Sequence, residues 1–418
     1  MESVSPPDAR LKALAESKVF CMRPWLTLDI SQDGRVFPCC NFALSPPLGS
    51  LRKSRLKDVW NSPETREVRR RMLEGREVPQ CRRCYELDAA GAVSERRSFN
   101  REFASRLGLA EQTKADGSLE PLVPAILDLS ISNRCNFKCR YCHPDRSTAW
   151  NEDHDRLWGR QARSGPDVQT PTESPEELLR QIEPILGGLE RIYFDGGEPL
   201  ICREHYQLLD LLTERKKTGI RLTYSTNFSV TAFEGRDVFE LWKDFPHVHV
   251  SASLDAMGAR GEYIRKNQDW ARVVENRERM LRVCPHVHFV FAPTLSVMNA
   301  LHLPELHRDW IEKGYLEPKE MYLNYVVEPA ELSVQILPAH LKRAMTDRYE
   351  RHIEWLNARC GRDAETAVAH FRGAINFVNA QDRTCLLERF RRTTRALDAI
   401  RGECFEKVFP ELAELMAG

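Results

Sequence analysis

Two rhythms of hydrophobic and polar positions run along this chain, and the change between them comes near residue 122. Downstream, short apolar stretches read as strands: AILDLSIS from 125, RIYFDGG from 191, IRLTYSTN from 220, HVHVSASLDA from 247, HVHFVFAPTLSV from 286 and MYLNYVV from 321. Between them SPEELLRQIEPILGGL, REHYQLLDLLTERKKTG and DWARVVENRERMLRV return apolar residues at three-and-four spacing, the period of an amphipathic helix. Strands alternating with helices predict parallel β/α units, with functional loops after the strand C-termini. From 338 the pattern is helical to the end, through LKRAMTDRYERHIEWLNARC, TAVAHFRGAINFVNAQ and LLERFRRTTRALDAIRG. Upstream, WLTLDI and RVFPCC flank the turn SQDG and predict a hairpin. Ser62 and Pro63 stand where an N-cap and first helical residue belong, ahead of ETREVRRRMLEG and its C-terminal Gly75. The segment 107–121 lacks periodicity and reads as a connector, and no internal repeat or low-complexity tract is present.

At 418 residues the chain exceeds one average domain, so two units are expected. Sixty-one basic and sixty-one acidic side chains cancel, which leaves no net field favouring nucleic acid or an anionic membrane. No apolar run reaches the ~20 residues of a bilayer span, and MESVSPPDAR lacks the apolar centre of a signal peptide, so a cytoplasmic protein is expected. Of thirteen cysteines, eight fall into two groups and five are scattered. Metal-binding thiolates in a reducing compartment account for this better than disulfides.

The run NRCNFKCRYCHP places Cys135, Cys139 and Cys142 directly after the first strand of the β/α region, at the mouth where such folds carry chemistry. Three thiolates on a four-iron cube leave one iron open to a small molecule. The alternatives are a zinc site completed by His143, and reduced structural cysteines without metal.

With Tyr141 before the last cysteine, this run resembles the cluster loop of the radical S-adenosylmethionine (SAM) superfamily. The resemblance implies a [4Fe–4S] cluster whose open iron binds SAM, and reductive cleavage that yields a 5′-deoxyadenosyl radical. Gly196, Gly197, Glu198 and Pro199 in FDGGEPL resemble the family's GGEP motif, in which glycines admit close backbone approach and a carboxylate accepts from the SAM ammonium. By the same likeness Ser225, Thr226 and Asn227, then Ser253 and Asp255, stand at strand ends as ribose contacts. Arg265 corresponds to the base that grips the SAM carboxylate, and Tyr141 to a packing surface for adenine. Strand-end capping, a plain salt bridge and simple burial remain the alternatives for these residues.

In the N-terminal region Cys21, Gly34, Cys39 and Cys40 are followed by Cys81 and Cys84. This spacing resembles the twitch module, a shortened SPASM auxiliary-cluster domain, placed here before the barrel. The resemblance implies a second [4Fe–4S] cluster on Cys21, Cys39, Cys81 and Cys84, with Cys40 as the alternative to Cys39, while a four-cysteine zinc knuckle stays open. Arg69, Arg70, Arg71, Arg76, Arg82 and Arg83 would tune that cluster or form solvated faces. Cys202 is a candidate hydrogen-atom donor, though it and Cys284, Cys360, Cys385 and Cys404 read equally as buried small residues. Asn299, Asn324 and Glu328 follow the last two strands, where substrate contacts belong.

The expected fold is α/β: a partial (β/α)6 TIM barrel over 122–337, with a tail at 1–20, a twitch domain at 21–106, the connector at 107–121 and a helical extension at 338–418. The expected activity is radical hydrogen abstraction, leading to dehydrogenation or epimerisation of a sugar-like or nucleoside-like metabolite. Only about twenty residues precede Cys21, which leaves little room for a peptide-recognition domain and favours a small molecule over a peptide or protein substrate. An electron donor such as flavodoxin or ferredoxin is implied as partner, without nucleic acid or membrane. The competing class is a non-catalytic, zinc-stapled binding protein.

Overall fold

A computed structural model describes residues 6–42, 46–163 and 165–417; the first five residues of the expected tail lie outside the described residues. The chain forms two compact units, one of residues 1–132, 169–196 and 203–222, the other of 133–168, 197–202 and 223–418.

In the first unit the predicted hairpin forms, with β1 (Thr27–Ile30) antiparallel to β2 (Arg35–Phe37), and β2 antiparallel to β3 (Gly49–Ser50). The turn needs Gly34, which has φ +84° and whose Cβ would strike the carbonyl oxygen of Pro171. The hairpin does not stand alone. β1 pairs in parallel with β4 (Ile126–Ser130), and β4 with β5 (Arg191–Asp195), giving the order β5-β4-β1-β2-β3. Leu28, Ile30, Leu127 and Leu129 are all buried and alternate with the half-buried Asp29 and Asp128. The helix Pro63–Leu73 starts as its sequence predicts, with the Ser62 hydroxyl accepting from Thr65 N at 3.1 Å. The helix expected from 174 is shorter than its pattern. It ends at Ile182, and a 3-10 turn, Glu183–Ile185, follows at Pro184, which has no N–H to continue an α-helix. Part of the expected tail is helical, over Pro6–Glu16.

In the second unit β6 (Arg221–Thr226, with the division falling inside it) neighbours β7 (Val248–Ala252), which pairs in parallel with β8 (His288–Phe291). The last two predicted strands are much reduced. β8 stops before Pro293, and the run continues as the two-residue strand Thr294–Leu295. The stretch 321–327 supplies a bridge from Met321 to Phe291 and the pair Asn324–Tyr325, parallel to Thr294–Leu295. Its side chains explain this, because Tyr322 and Val327 are 56% and 57% exposed, so the run is not buried on both faces. The long helices Ala339–Cys360, Glu365–Asn379 and Leu387–Arg401 form as expected. No helix among the described residues is long and apolar enough to cross a membrane.

Candidate functional site

The loop 133–144 leaves the end of β4 and is fixed largely by its own backbone carbonyls. Ser147 Oγ donates to Phe137 O at 2.5 Å, Trp150 Nε1 to Cys139 O at 2.7 Å, and Asn133 Nδ2 to Pro144 O at 3.0 Å. Lys138 and Cys139 pair antiparallel with Arg265 and Lys266, so Arg265 is drawn to the loop by backbone register as well as by charge.

Each thiol meets a distinct partner. Cys135 Sγ accepts from Phe137 N at 3.5 Å, with Asn227 Nδ2 at 4.0 Å. Cys139 is buried, with Arg265 Nη1 at 3.8 Å from its sulfur. Cys142 directs its thiol to the carbonyl of His143 at 3.8 Å. Burial, and then the charge of Cys139, push the Cys135 and Cys142 thiols upward, Cys142 to about 12, while burial raises Cys139 despite Arg265. Thiols whose ionisation burial opposes need positive charge at their centre to ionise, which iron supplies. Among the described residues no group of three or more His, Cys, Asp or Glu closes to the spacing of a single metal ion. The fit to a cluster therefore rests on donor chemistry: three thiols, one strand-anchored loop, and polar groups aimed at the sulfurs.

Arg265 lies at the heart of the site. Its Nε and Nη2 form a fork on Asp255 at 2.8 and 3.1 Å, and Tyr141 Oη donates to the same carboxylate at 2.5 Å. Thr294 N completes the set on Asp255, which is fully buried. Burial opposes the charge on Arg265, but Asp255, Tyr141 and Cys139 more than offset it and hold the guanidinium protonated. The fork expected for a SAM carboxylate is thus engaged by Asp255, and the Asp255 oxygens expected at ribose are engaged by Arg265, Tyr141 and Thr294.

Glu198 joins the GGEP turn to the end of β6. It accepts from Leu200 N at 3.1 Å, Thr226 Oγ1 at 2.8 Å and Asn227 N at 2.7 Å. Burial raises its carboxyl to about 7 against these three hydrogen bonds. Gly197 is obligatory, because a Cβ there would overlap the carbonyl oxygen of Arg134. Gly196, in the first unit, has φ +107° and a Cβ position 2.6 Å from Ser132 O. Pro199 opens a buried 3-10 turn. Asn227 reaches the loop, donating to Asn136 Oδ1 at 2.8 Å. Ser225 and Ser253 are half-buried at their strand ends, with Ser253 N bonded to Thr226 O at 2.8 Å. Cys202 is 1% exposed with its sulfur 3.4 Å from Glu198 O, the setting of a buried small residue behind the turn. Asn299, fully buried, donates to Asp255 O and Thr294 O and so frames Asp255.

Sequence reasoning missed the loop's clamp from the C-terminal extension. Arg140 donates to Asp398, to Glu403 at 2.6 Å and to Tyr263 O at 3.2 Å, with its guanidinium 3.5 Å from the Tyr263 ring centroid. Arg401 bonds Asp153 at 2.8 Å, and Asp153 bonds Lys138 at 2.9 Å. The Arg140–Asp398, Arg140–Glu403 and Arg401–Asp153 partners are some 250 residues apart, and nothing in the sequence pairs them.

In the first unit Cys21, Cys39, Cys81 and Cys84 bear on one another. Burial pushes Cys21 up to about 11 and Cys81 to about 12, with Cys84 raising both. Burial also raises Cys39, with Cys21 and Cys81 among the charges acting on it. Cys40 is exposed, and the leading charges around it are Arg23, Asp29, Asp128 and Glu95. Cys40 also acts on Cys39, and Cys39 is the less exposed of the adjacent pair. Cys81 ends the 3-10 turn Pro79–Cys81, Cys84 sits in the helix Arg82–Ala89, and Asn41 Nδ2 approaches the Cys84 sulfur at 4.0 Å. Of the arginines, Arg69 is buried over the Trp60 ring and donates to Pro24 O, while Arg70, Arg71 and Arg76 pair with Glu67 and Glu74, and Arg82 with Glu86.

Residues 129–308 match the radical SAM superfamily, and residues 21–85 match SPASM, an iron–sulfur cluster-binding domain. The chain thus carries a radical SAM domain preceded by an auxiliary iron–sulfur domain, the equipment of an iron–sulfur enzyme that binds a [4Fe–4S] cluster and SAM. Among curated proteins it is similar to the GTP 3′,8-cyclase of Campylobacter lari, 28% identical over 27% of this chain and 30% of the relative. A second, from Brucella abortus, is 28% identical over 44% of this chain and 48% of the relative. The chain thus spans less than half the length of these relatives. Among solved structures it resembles native anSMEcpe with bound AdoMet, at 17% identity and a TM-score of 0.40, covering 56% of this chain and 61% of that one.

Proposed function

We propose that this enzyme reductively cleaves SAM and abstracts hydrogen from a small nucleoside-like or sugar-like metabolite, leading to dehydrogenation, epimerisation or a related change. When bound, the cluster and SAM would supply a carbon-centred radical strong enough to break an unactivated C–H bond. Cys135, Cys139 and Cys142 would hold three irons, and the chain's own contribution is to fix them. Arg265 sets positive charge beside Cys139, Asn227 positions the Cys135 side of the loop, and Glu198 ties the GGEP turn to β6.

The observation that carries this reading is the Tyr141–Asp255–Arg265–Cys139 set, a buried, fully paired charge system ending on a loop thiol. The small-metabolite choice is supported by partial likeness to proteins named for a nucleotide reaction. The N-terminal domain is proposed to be of the shortened, twitch type, with Cys21, Cys39, Cys81 and Cys84 holding its cluster. Thirteen cysteines fit a reducing, cytoplasmic setting and an electron donor such as flavodoxin or ferredoxin.

The test is anaerobic reconstitution with reductant and SAM, followed by assay of 5′-deoxyadenosine and of label transfer from deuterated nucleosides and sugars. Deuterium in deoxyadenosine from one such metabolite is the expected result. Label transfer from peptides alone would replace the small-molecule reading, and zinc without labile sulfide would end the radical one.

A further inference from the structure

The C-terminal helix Leu387–Arg401 stops at Gly402, whose φ of +65° is the left-handed conformation that glycine adopts freely, and the chain doubles back so that Glu403 N bonds Asp398 O at 3.0 Å. Asp398 and Arg401, three residues apart, share a helix face, and the turn brings Glu403 to join them. Asp398 and Glu403 take the guanidinium of Arg140, the residue after Cys139, and Asp398 also accepts from Tyr263 Oη at 2.7 Å and Phe405 N at 2.8 Å. Glu403 pairs with Lys266 as well, at 2.9 Å, and Lys266 lies opposite Lys138 in the short ladder that brings Arg265 to Cys139.

Arg401 reaches Cys139 by two routes. Its guanidinium lies over the Trp150 ring, 4.9 Å from the centroid, and Trp150 Nε1 donates to Cys139 O at 2.7 Å. It also bonds Asp153, which in turn bonds Lys138, the residue before Cys139. The side chains of Arg140, Asp153 and Arg401 are each 1% exposed, so their charges are weakly screened, and losing one member leaves its partners' charge to act on the sulfurs nearby. The charge of Arg401 already bears on Cys139 and favours its thiolate.

We propose that the turn 398–403 is part of the SAM-cluster site, with Arg401 and Glu403 as positioning residues that hold the Cys139 segment of the loop and balance its charge. The inference rests on the loop thiols holding a cluster, as proposed above, and gives the C-terminal extension a role in that site. Glu403 offsets Arg140 and Lys266, whereas Arg401 adds positive charge. An electron added to a cluster is favoured by nearby positive charge and opposed by negative, so the two residues push its potential in opposite directions.

The test is a redox titration of the loop cluster, read by electron paramagnetic resonance in anaerobically reconstituted chain carrying Cys81→Ala. Arg401→Gln and Glu403→Gln are compared with Arg395→Gln, which removes a bond from the same helix to Met416 O instead. Arg401→Gln should lower the potential and Glu403→Gln should raise it. In both, a chelator should draw iron from the loop about tenfold faster, the ordinary cost of losing a contact behind a metal ligand. Arg395→Gln should leave both readings at the parent's values, and a loosened helix does not produce shifts of opposite sign. If Arg401→Gln fails to fold, Glu403→Gln, with a side chain 12% exposed, decides against the control. A potential unmoved in both variants, or a shift of one sign shared with Arg395→Gln, would overturn the proposal and leave the cluster reading intact. A parent without a [4Fe–4S] signal would sink that reading and this inference with it.

Discussion

The two cysteine groups are held by different means. Cys135, Cys139 and Cys142 lie within eight residues, and side chains from far along the chain grip their loop: Asn227, Arg265 and, through Arg140, Asp398 and Glu403. Cys21, Cys39, Cys81 and Cys84 span more than sixty residues, and side chains there clamp the backbone beside the cysteines: Asn100 bonds Met22 N and Phe20 O, and Arg96 bonds Phe20 O, while Asn41 approaches the Cys84 sulfur. A compact motif has little framework of its own, so its geometry depends on imported charges. A dispersed set is fixed by the fold, and its geometry fails only when the unit does. The loop should therefore respond to changes at Arg265 and its partner Asp255 more strongly than the N-terminal unit responds to loss of an exposed pair such as Arg82–Glu86.

The sharpest contrast is between ligands. Cys139→Ala should abolish reductive SAM cleavage, while Cys81→Ala should retain some cleavage but lose turnover, both read as deoxyadenosine formed per chain. Next comes the clamp. Asp255→Asn strands a buried guanidinium and should cost about 3–5 kcal/mol in chemical denaturation, where the exposed Arg82–Glu86 pair of the N-terminal unit should cost under about 1 kcal/mol when broken. Similar losses at the two positions would erase the distinction.

A smaller effect concerns Glu198. Its folded carboxyl holds a proton up to about 7, against an ordinary 4.5, so the folded state binds more protons between those values. Its contribution is full below about 4.5 and is lost as pH rises through about 7, up to roughly 3 kcal/mol. Glu198→Gln should flatten that part of the stability profile; an unchanged slope would remove Glu198 as its source. Smallest of all, Cys40→Ser should leave iron content and stability nearly unchanged, within about 0.5 kcal/mol, whereas Cys39→Ser should lose the N-terminal iron. Iron analysis of the two variants checks which cysteine belongs to the group.

What could be read in the sequence follows the same division. Loop, GGEP turn, hairpin, caps and C-terminal helices were legible because each is a local pattern: cysteine spacing, paired glycines, Ser62 before Pro63, three-and-four periodicity. The parallel union of β1 with β4 was not, because hydrophobic pattern names a strand without naming its neighbour. Nor was the engagement of Arg265 by Asp255, since both residues look equally suited to a ligand until geometry shows them facing each other. Arg140 sat in plain view between two cysteines, but its partners at 398 and 403 carry no local signal. The short sixth strand was overread for a related reason: MYLNYVV has strand composition, and only its exposure shows how little of it pairs.

The central claim is a cluster held by three loop thiols with one iron left for SAM. Electron paramagnetic resonance of the reduced, anaerobically reconstituted chain, with Cys81→Ala to silence the N-terminal group, tests it most directly. A [4Fe–4S] signal that shifts on adding SAM, and is missing in Cys139→Ala, is the predicted result. A signal that SAM leaves unchanged would contradict the account.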